Sequence, residues 1–234
     1  MVSELELVTI DRASREHEGL LAAFHAGIYL DAFASQREPL EVWQRALWGD
    51  AARYELTIRL AGHALRDPAR REVLGGVAYE RYPRSGCGLV TYMVIAPPAR
   101  RQGLGRRLQG DAVRALRTAG APAVFGEIND PRRIGTGVDE PPIDMWRRVR
   151  RNMAWGARVL DMRYVQPALA PGLARDHGLC LLALADGPPL PAAIDGAIVR
   201  AFVHELYAIT EGNAPDRELL AGIPDRVALI ELRR

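Results

Sequence analysis

Residues 4–10, ELELVTI, alternate apolar and polar positions with the two-residue period of a half-buried strand. The period becomes helical over about 16–28 and again over 39–48, with YLDAFASQREP joining the two stretches. YELTIRLAGHAL (54–65) and REVLGGVAYERY (71–82) return to strand-like patterning, split by the turn signal RDPAR. GLVTYMVIA (88–96) reads as a further strand. Over 103–119, Leu104, Leu108, Ala112, Ala115 and Leu116 share one helix face, and Gly120 supplies the stop. APAVFGEIND (121–130) predicts the next strand. PRRIGTGVDEPPID (131–144) is a long Gly/Pro-rich loop, and 143–156 is a helix. DMRYVQPAL (161–169) and the apolar GLCLLALA (178–185) read as two more strands. A helix over about 191–209, a short helical piece near 216–222 and RVALIEL (226–232) complete the pattern. Strands and helices interleave without a composition break, a repeat or a low-complexity tract, which predicts an α/β fold.

Composition narrows the class little. Hydrophobic residues are 48% and charged residues 26% of the 234, an ordinary balance for a globular chain long enough to bury a sizeable core. The opening MVSELELVTIDRASREHEGL is acidic and alternating, unlike a secretory signal, and GLCLLALA is too short to span a bilayer. We therefore expect a cytoplasmic protein with no membrane partner. The net charge of +2 gives no argument for nucleic-acid binding, although every basic side chain other than histidine is an arginine. Cys87 and Cys180 have neither metal spacing nor a disulfide framework, so both are expected in the core and no metal is expected.

The chemistry concentrates in VTYMVIAPPARRQGLGRRLQGDAVRAL, Val90 to Leu116, where a strand, two prolines, two Arg-Arg pairs and two close glycines lead into a helix. Amides at a helix N-terminus, with glycine and positive charge beside them, suit a phosphate. A dinucleotide fingerprint starts at Gly103-Leu104-Gly105 but fails, because Leu108 stands where the third glycine belongs and PPARRQ separates the strand from the turn. A Walker loop fails for want of G-K-[ST]. Arg100-x-x-Gly103-x-Gly105 instead resembles the acyl-coenzyme A signature of the GNAT N-acetyltransferase superfamily, Q/R-x-x-G-x-G/A. Glycines there allow close backbone approach to the pyrophosphate, and Arg100, Arg101 and Arg106 add charge-assisted donors.

The resemblance extends from residue 4 to about 185 in the order of strands and helices, and WGARVLDMRYVQPAL (155–169) is similar to the segment after that family's fourth helix. It implies a GNAT domain over 1–185, with a mixed central sheet flanked by helices. Residues 186–234 form a helical C-terminal addition, packed on the same domain or on a dimer partner. It implies acetyl-coenzyme A as co-substrate, bound by Val94, Ile95, Arg100, Arg101, Gln102, Gly103, Leu104, Gly105, Arg106 and Asn129. The reaction implied is direct attack of a primary amine, small-molecule or peptidyl, on the acetyl thioester, with a backbone amide near Val94–Ile95 meeting the oxyanion.

Such an amine has a pKa of about 10.4 and must lose a proton first. Glu127 is the expected general base: alternation puts it on one face with Phe125 and Asn129, and partial burial there raises a carboxyl pKa. The family's general acid is a tyrosine four residues before the helix-ending glycine, but counting back from Gly156 reaches Asn152. Tyr164 or a water takes that role instead, or the thiolate leaves unassisted. The departure keeps a non-catalytic acyl-coenzyme A sensor as the alternative. His25 and His63 are lesser candidates, WRRVRR (146–151) reads as a solvated helix face, and Arg132, Arg133, Asp139 and Glu140 are candidates for the substrate mouth. The stripe Ile194, Ile198, Phe202, Leu206 and Ile209 predicts a two-fold homodimer through the C-terminal addition.

Overall fold

The computed structural model describes residues 4–32, 38–50, 53–133, 142–169 and 172–233. Two compact units are present, Met1–Arg81 with Val90–Ala115, and Tyr82–Leu89 with Leu116–Arg234.

In the first unit β1 (Glu6–Ile10), β2 (Glu55–His63), β3 (Glu72–Arg81) and β4 (Gly88–Ile95) lie side by side in chain order. β1 and β2 pair antiparallel from Glu6↔Gly62 to Ile10↔Ile58, and β2 and β3 pair antiparallel with a bulge at Ala61/Gly62. Leu56, Ile58 and Leu60 of β2 alternate onto one face, where helices cover them. A 3-10 turn (Arg15–His17), α1 (Glu18–Phe24), a π-helical stretch (His25–Tyr29) and α2 (Leu30–Ala32) follow one another directly. The helical pattern thus runs on past residue 28, and the wider π turn lets His25 and Tyr29 both point inward. With α3 (Leu40–Trp48), this hairpin buries Leu20, Leu21, Phe24, Tyr29, Trp43 and Leu47 against β1 and β2. Most of α4 (Leu104–Thr118) also belongs here; Leu104, Leu108 and Ala112 are buried as their spacing predicts.

The second unit is built on β5 (Val124–Asn129), with α5 (Pro142–Ala154), β6 (Arg158–Leu160), β7 (Leu179–Ala183), β8 (Ala193–Asp195), α6 (Gly196–Thr210), α7 (Arg217–Ala221) and β9 (Arg226–Ile230). Its strand order is β5-β7-β6-β9-β8, with β5/β7, β6/β7, β6/β9 and β8/β9 all antiparallel. Three expectations change. DMRYVQPAL is no strand: pairing ends at Leu160, the Met162 amide turns back to the Leu160 carbonyl, and Pro167 has no N–H for a ladder. The late helix starts at 196, not 191, because Asp195 caps it by accepting from the Ala197 amide at 2.8 Å, and Ala193–Asp195 pair with β9. The addition is accordingly helix and strand together, since β8 and β9 belong to it.

The face that α6 buries comprises Val199, Phe202, Val203, Leu206 and Tyr207. Phe202 meets Phe125 at 4.6 Å and Tyr82 at 5.4 Å between ring centroids. Glu205, 3% exposed, accepts from the amides of Arg84 and Ser85 at 2.9 and 2.7 Å, so this buried carboxylate is satisfied by backbone donors. Cys87 and Cys180 are free and buried, with burial pushing their thiols up to about 11 and about 12. Among the described residues no helix is long and apolar enough to cross a membrane.

Candidate active site

The anion turn is built by the end of β4. A 3-10 turn over Pro97–Ala99 breaks the strand, and the backbone crosses the left-handed region at Arg101 (φ 64°) and Gly103 (φ 82°) before α4 begins at Leu104. Arg101 adopts that conformation without being glycine, which costs roughly 1 kcal/mol and is the kind of local strain that clusters at ligand sites. The Arg107 amide bonds the Gly103 carbonyl at 3.1 Å; the amides ahead of it are those a helix start leaves without intrahelical acceptors. Arg100, Arg101, Gln102, Gly103 and Arg106 are exposed, and Gly105 is half-buried.

The side-chain roles divide more sharply than the signature implies. Arg100 donates through Nε to the Ile95 carbonyl at 2.9 Å, and Gln102 donates to the Pro98 carbonyl at 2.9 Å, so both brace the turn. Leu104 and Val94 are buried at 7% each, which leaves only their backbone groups for a ligand; Ile95 is half-buried. A Cβ at Gly103 would meet no protein atom within 4 Å, so the space above the turn is open and the cradle fits a pyrophosphate. Gly103→Val adds a Cβ that clashes with no protein atom but puts a β-branched residue at φ 82°, so it is expected to distort the turn locally and weaken coenzyme A binding about ten- to hundredfold, equivalent to about 1.5–3 kcal/mol. Calorimetric titration of a folded variant checks this; unchanged affinity places the phosphate elsewhere.

The second cluster lies on β5. Glu127 is half-buried opposite Leu181 of β7, and Phe125 and Asn129 share its register face. The Tyr164 hydroxyl donates to Glu127 Oε1 in a short hydrogen bond, and Gln166 Nε2 donates to Oε2 at 2.9 Å. Burial raises the Glu127 pKa, the two donors oppose the rise, and the nearby Asp176 carboxylate adds to it. Tyr164 is 1% exposed, and burial followed by the Glu127 charge holds its pKa well above the ordinary phenol value. It keeps its proton, and that proton is aimed at Glu127.

Other expected residues fall elsewhere. His25 shares a hydrogen bond with the Glu38 carbonyl at 2.8 Å, and His63 with the Glu4 carbonyl at 3.0 Å, so both rings are engaged by backbone. Arg132 grips the buried Asp130 through two nitrogens and Arg133 donates to the His177 carbonyl; both fasten the start of the loop. Burial alone raises the Asp130 pKa, but the Arg132 bonds outweigh it and hold the carboxyl below its ordinary range. Asp139 and Glu140 lie outside the described residues. Asn152, 6% exposed, donates to the Arg148 carbonyl at 3.0 Å within its own helix. Arg147, Arg150 and Arg151 of WRRVRR are exposed; Arg147 pairs with Asp144 at 2.9 Å, and Arg151 lies 5.5 Å over the Trp155 ring. Sequence reasoning missed Gln166, although its two-residue spacing from Tyr164 was available as a signal.

The mostly antiparallel mixed sheet with flanking helices is that of the GNAT fold, and a glycine-containing turn opens α4. Residues 26–133 match the model of the acetyltransferase (GNAT) family. A GNAT-family protein from Bacteroides thetaiotaomicron superposes with a TM-score of 0.58 at 15% identity, covering 89% of this chain and 99% of its own. A tandem GNAT protein of the clavulanic acid pathway gives 0.50 at 18% identity over 70% of this chain and 46% of its own. Ard1 from Thermoplasma volcanium gives 0.48 at 10% identity over 77% and 98%. At these identities the likeness is one of fold. None of the curated proteins matches this sequence.

Proposed function

We propose that the protein transfers an acetyl group from acetyl-coenzyme A to a primary amine by direct attack of the nitrogen on the thioester. The observation that carries this reading is Glu127, a half-buried carboxylate with a raised pKa, oriented by two side-chain donors. A base must be deprotonated when the amine arrives yet basic enough to take its proton, and a raised carboxyl pKa serves both needs. The turn from Arg100 to Arg106 is assigned to the pyrophosphate, the Val94–Ile95 backbone to the developing oxyanion, and Asn129 to the pantetheine side. Bound acetyl-coenzyme A supplies the activated acyl group and a thiolate leaving group. A thiol pKa of about 8.5 makes that thiolate tolerable without a dedicated acid. Tyr164 is assigned to holding Glu127 rather than to protonating the thiolate, because its hydroxyl is already committed.

Coenzyme A is expected to raise the thermal midpoint, with about 2.7 kcal/mol of stabilisation at a hundred times the dissociation constant. A scan with coenzyme A beside NAD tests it: a shift with NAD alone contradicts the assignment of the turn. Of the late apolar stripe, Phe202 and Leu206 are spent inside their own unit. Half-buried Ile194 and Ile198 are the stripe positions that support a homodimer, and a light-scattering mass of twice the chain is the result that reading requires.

A further inference from the structure

The C-terminal addition reaches the Glu127 cluster through one short segment, 164–168. Tyr164 and Gln166 are alternate residues of this extended stretch, and both send their donors to the Glu127 carboxylate. Between them the Val165 carbonyl accepts from the hydroxyl of Tyr207, an α6 residue with no exposed surface, at 2.9 Å. Two residues on, the Ala168 amide donates to Glu211 Oε1 at 2.9 Å, just past the end of α6. Glu211 is itself gripped by Arg175 through Nε at 2.9 Å and a terminal nitrogen at 2.7 Å. Arg175 also lies 5.0 Å over the Tyr207 ring and pairs with Asp216 at 2.6 Å. On the other side, Gln166 exchanges both backbone hydrogen bonds with Asp176, at 2.9 and 3.0 Å.

A segment carrying Pro167 cannot hold its place by a regular strand ladder. Side chains of the addition do what a neighbouring strand would otherwise do. Val165 and Ala168, the residues they grip, alternate with or flank those that serve Glu127, so a shift at either grip moves the two donors.

We infer that Tyr207 and Glu211 are positioning residues for acyl transfer, holding Tyr164 and Gln166 on the Glu127 carboxylate. This inference rests on the reading of Glu127 as general base. The groups facing Glu127 are Tyr164, Gln166, Asp176 and, farther off, Tyr207. Two of them, Tyr164 and Gln166, favour its charged form, while burial and Asp176 oppose it. Slackening the segment removes the favourable pair and leaves burial unopposed. The base then needs a higher pH to ionise, and the acid limb of the rate profile moves alkaline. Each whole pH unit of that movement lowers turnover on the limb about tenfold.

The test uses Tyr207→Phe, which removes one hydroxyl and keeps the ring under Arg175, and Glu211→Gln as a second variant should the first fail to fold. The turnover number is measured against pH for wild type, each variant, Glu127→Gln and the Tyr207→Phe/Glu127→Gln pair. The expected result is an alkaline-shifted limb with unchanged KM for the acyl donor, and no further loss when Tyr207→Phe is added to Glu127→Gln. If both variants lose thermal stability but keep the wild-type profile, Tyr207 and Glu211 are only structural and the inference is overturned. If Glu127→Gln is itself silent, the base assignment falls and this inference falls with it.

Discussion

Glu127→Gln is expected to keep the affinity for coenzyme A and to lose about 10²–10⁴ in turnover, the range for removing one general base. On the proposed assignment affinity survives, because the nucleotide end is given to the turn from Arg100 to Arg106 and not to the carboxylate. Turnover falls because the amide is nearly the same shape as the carboxyl but cannot accept the amine proton. The wild-type rate is expected to rise with pH through the raised Glu127 pKa, whereas the variant retains only the limb set by the amine itself. Stability is expected to move the other way. A carboxyl whose pKa is higher in the folded state than in the unfolded one contributes stability that is full below the unfolded value. That contribution disappears as pH rises through the folded value. At neutral pH the buried charge is a liability that glutamine removes, so the variant is expected to melt no lower than wild type. A folded variant with undiminished turnover assigns the base elsewhere.

Phe202→Ala is expected to cost about 3–5 kcal/mol, the range for emptying a large aromatic site in a close-packed core. Phe202 has no exposed surface and lies tilted against Phe125 and edge-on to Tyr82. Phe125 is on the same strand as Glu127, so the loss reaches the strand that carries the base as well as α6. Denaturant melts of the variant beside Ala201→Ser, an exposed position on the same helix, measure the difference. A cost under about 1 kcal/mol would mean that α6 is an appendage and not core.

Legibility in the sequence followed the range of the interactions. β1, β2, α4 and α5 were readable because each buries one side of a regular period, as Leu104, Leu108 and Ala112 illustrate, whereas β3 and β5 are buried over consecutive residues. The anion turn was readable because glycine and a helix start are local features, although the left-handed backbone at Arg101, a residue that avoids it, was not. Alternation puts Glu127 with Phe125 and Asn129 on β5, but nothing local tells that its carboxylate meets the Tyr164 hydroxyl 37 residues away. Gln166, Tyr207 and Glu211 were missed for the same reason: their partners are fixed by tertiary contacts. DMRYVQPAL departs from the expected strand because Pro167 has no N–H for a ladder, and α6 starts later than expected because Asp195 caps it.

The central claim is amine-dependent acyl transfer, and free-thiol release from acetyl-coenzyme A across a library of primary amines tests it most directly. With coenzyme A binding established beforehand, the account predicts release well above the amine-free rate for at least one amine, rising with pH and lost in Glu127→Gln. Tight coenzyme A binding with no thiol released by any amine, and with Glu127→Gln indistinguishable from wild type, would contradict it and make the protein an acyl-coenzyme A sensor.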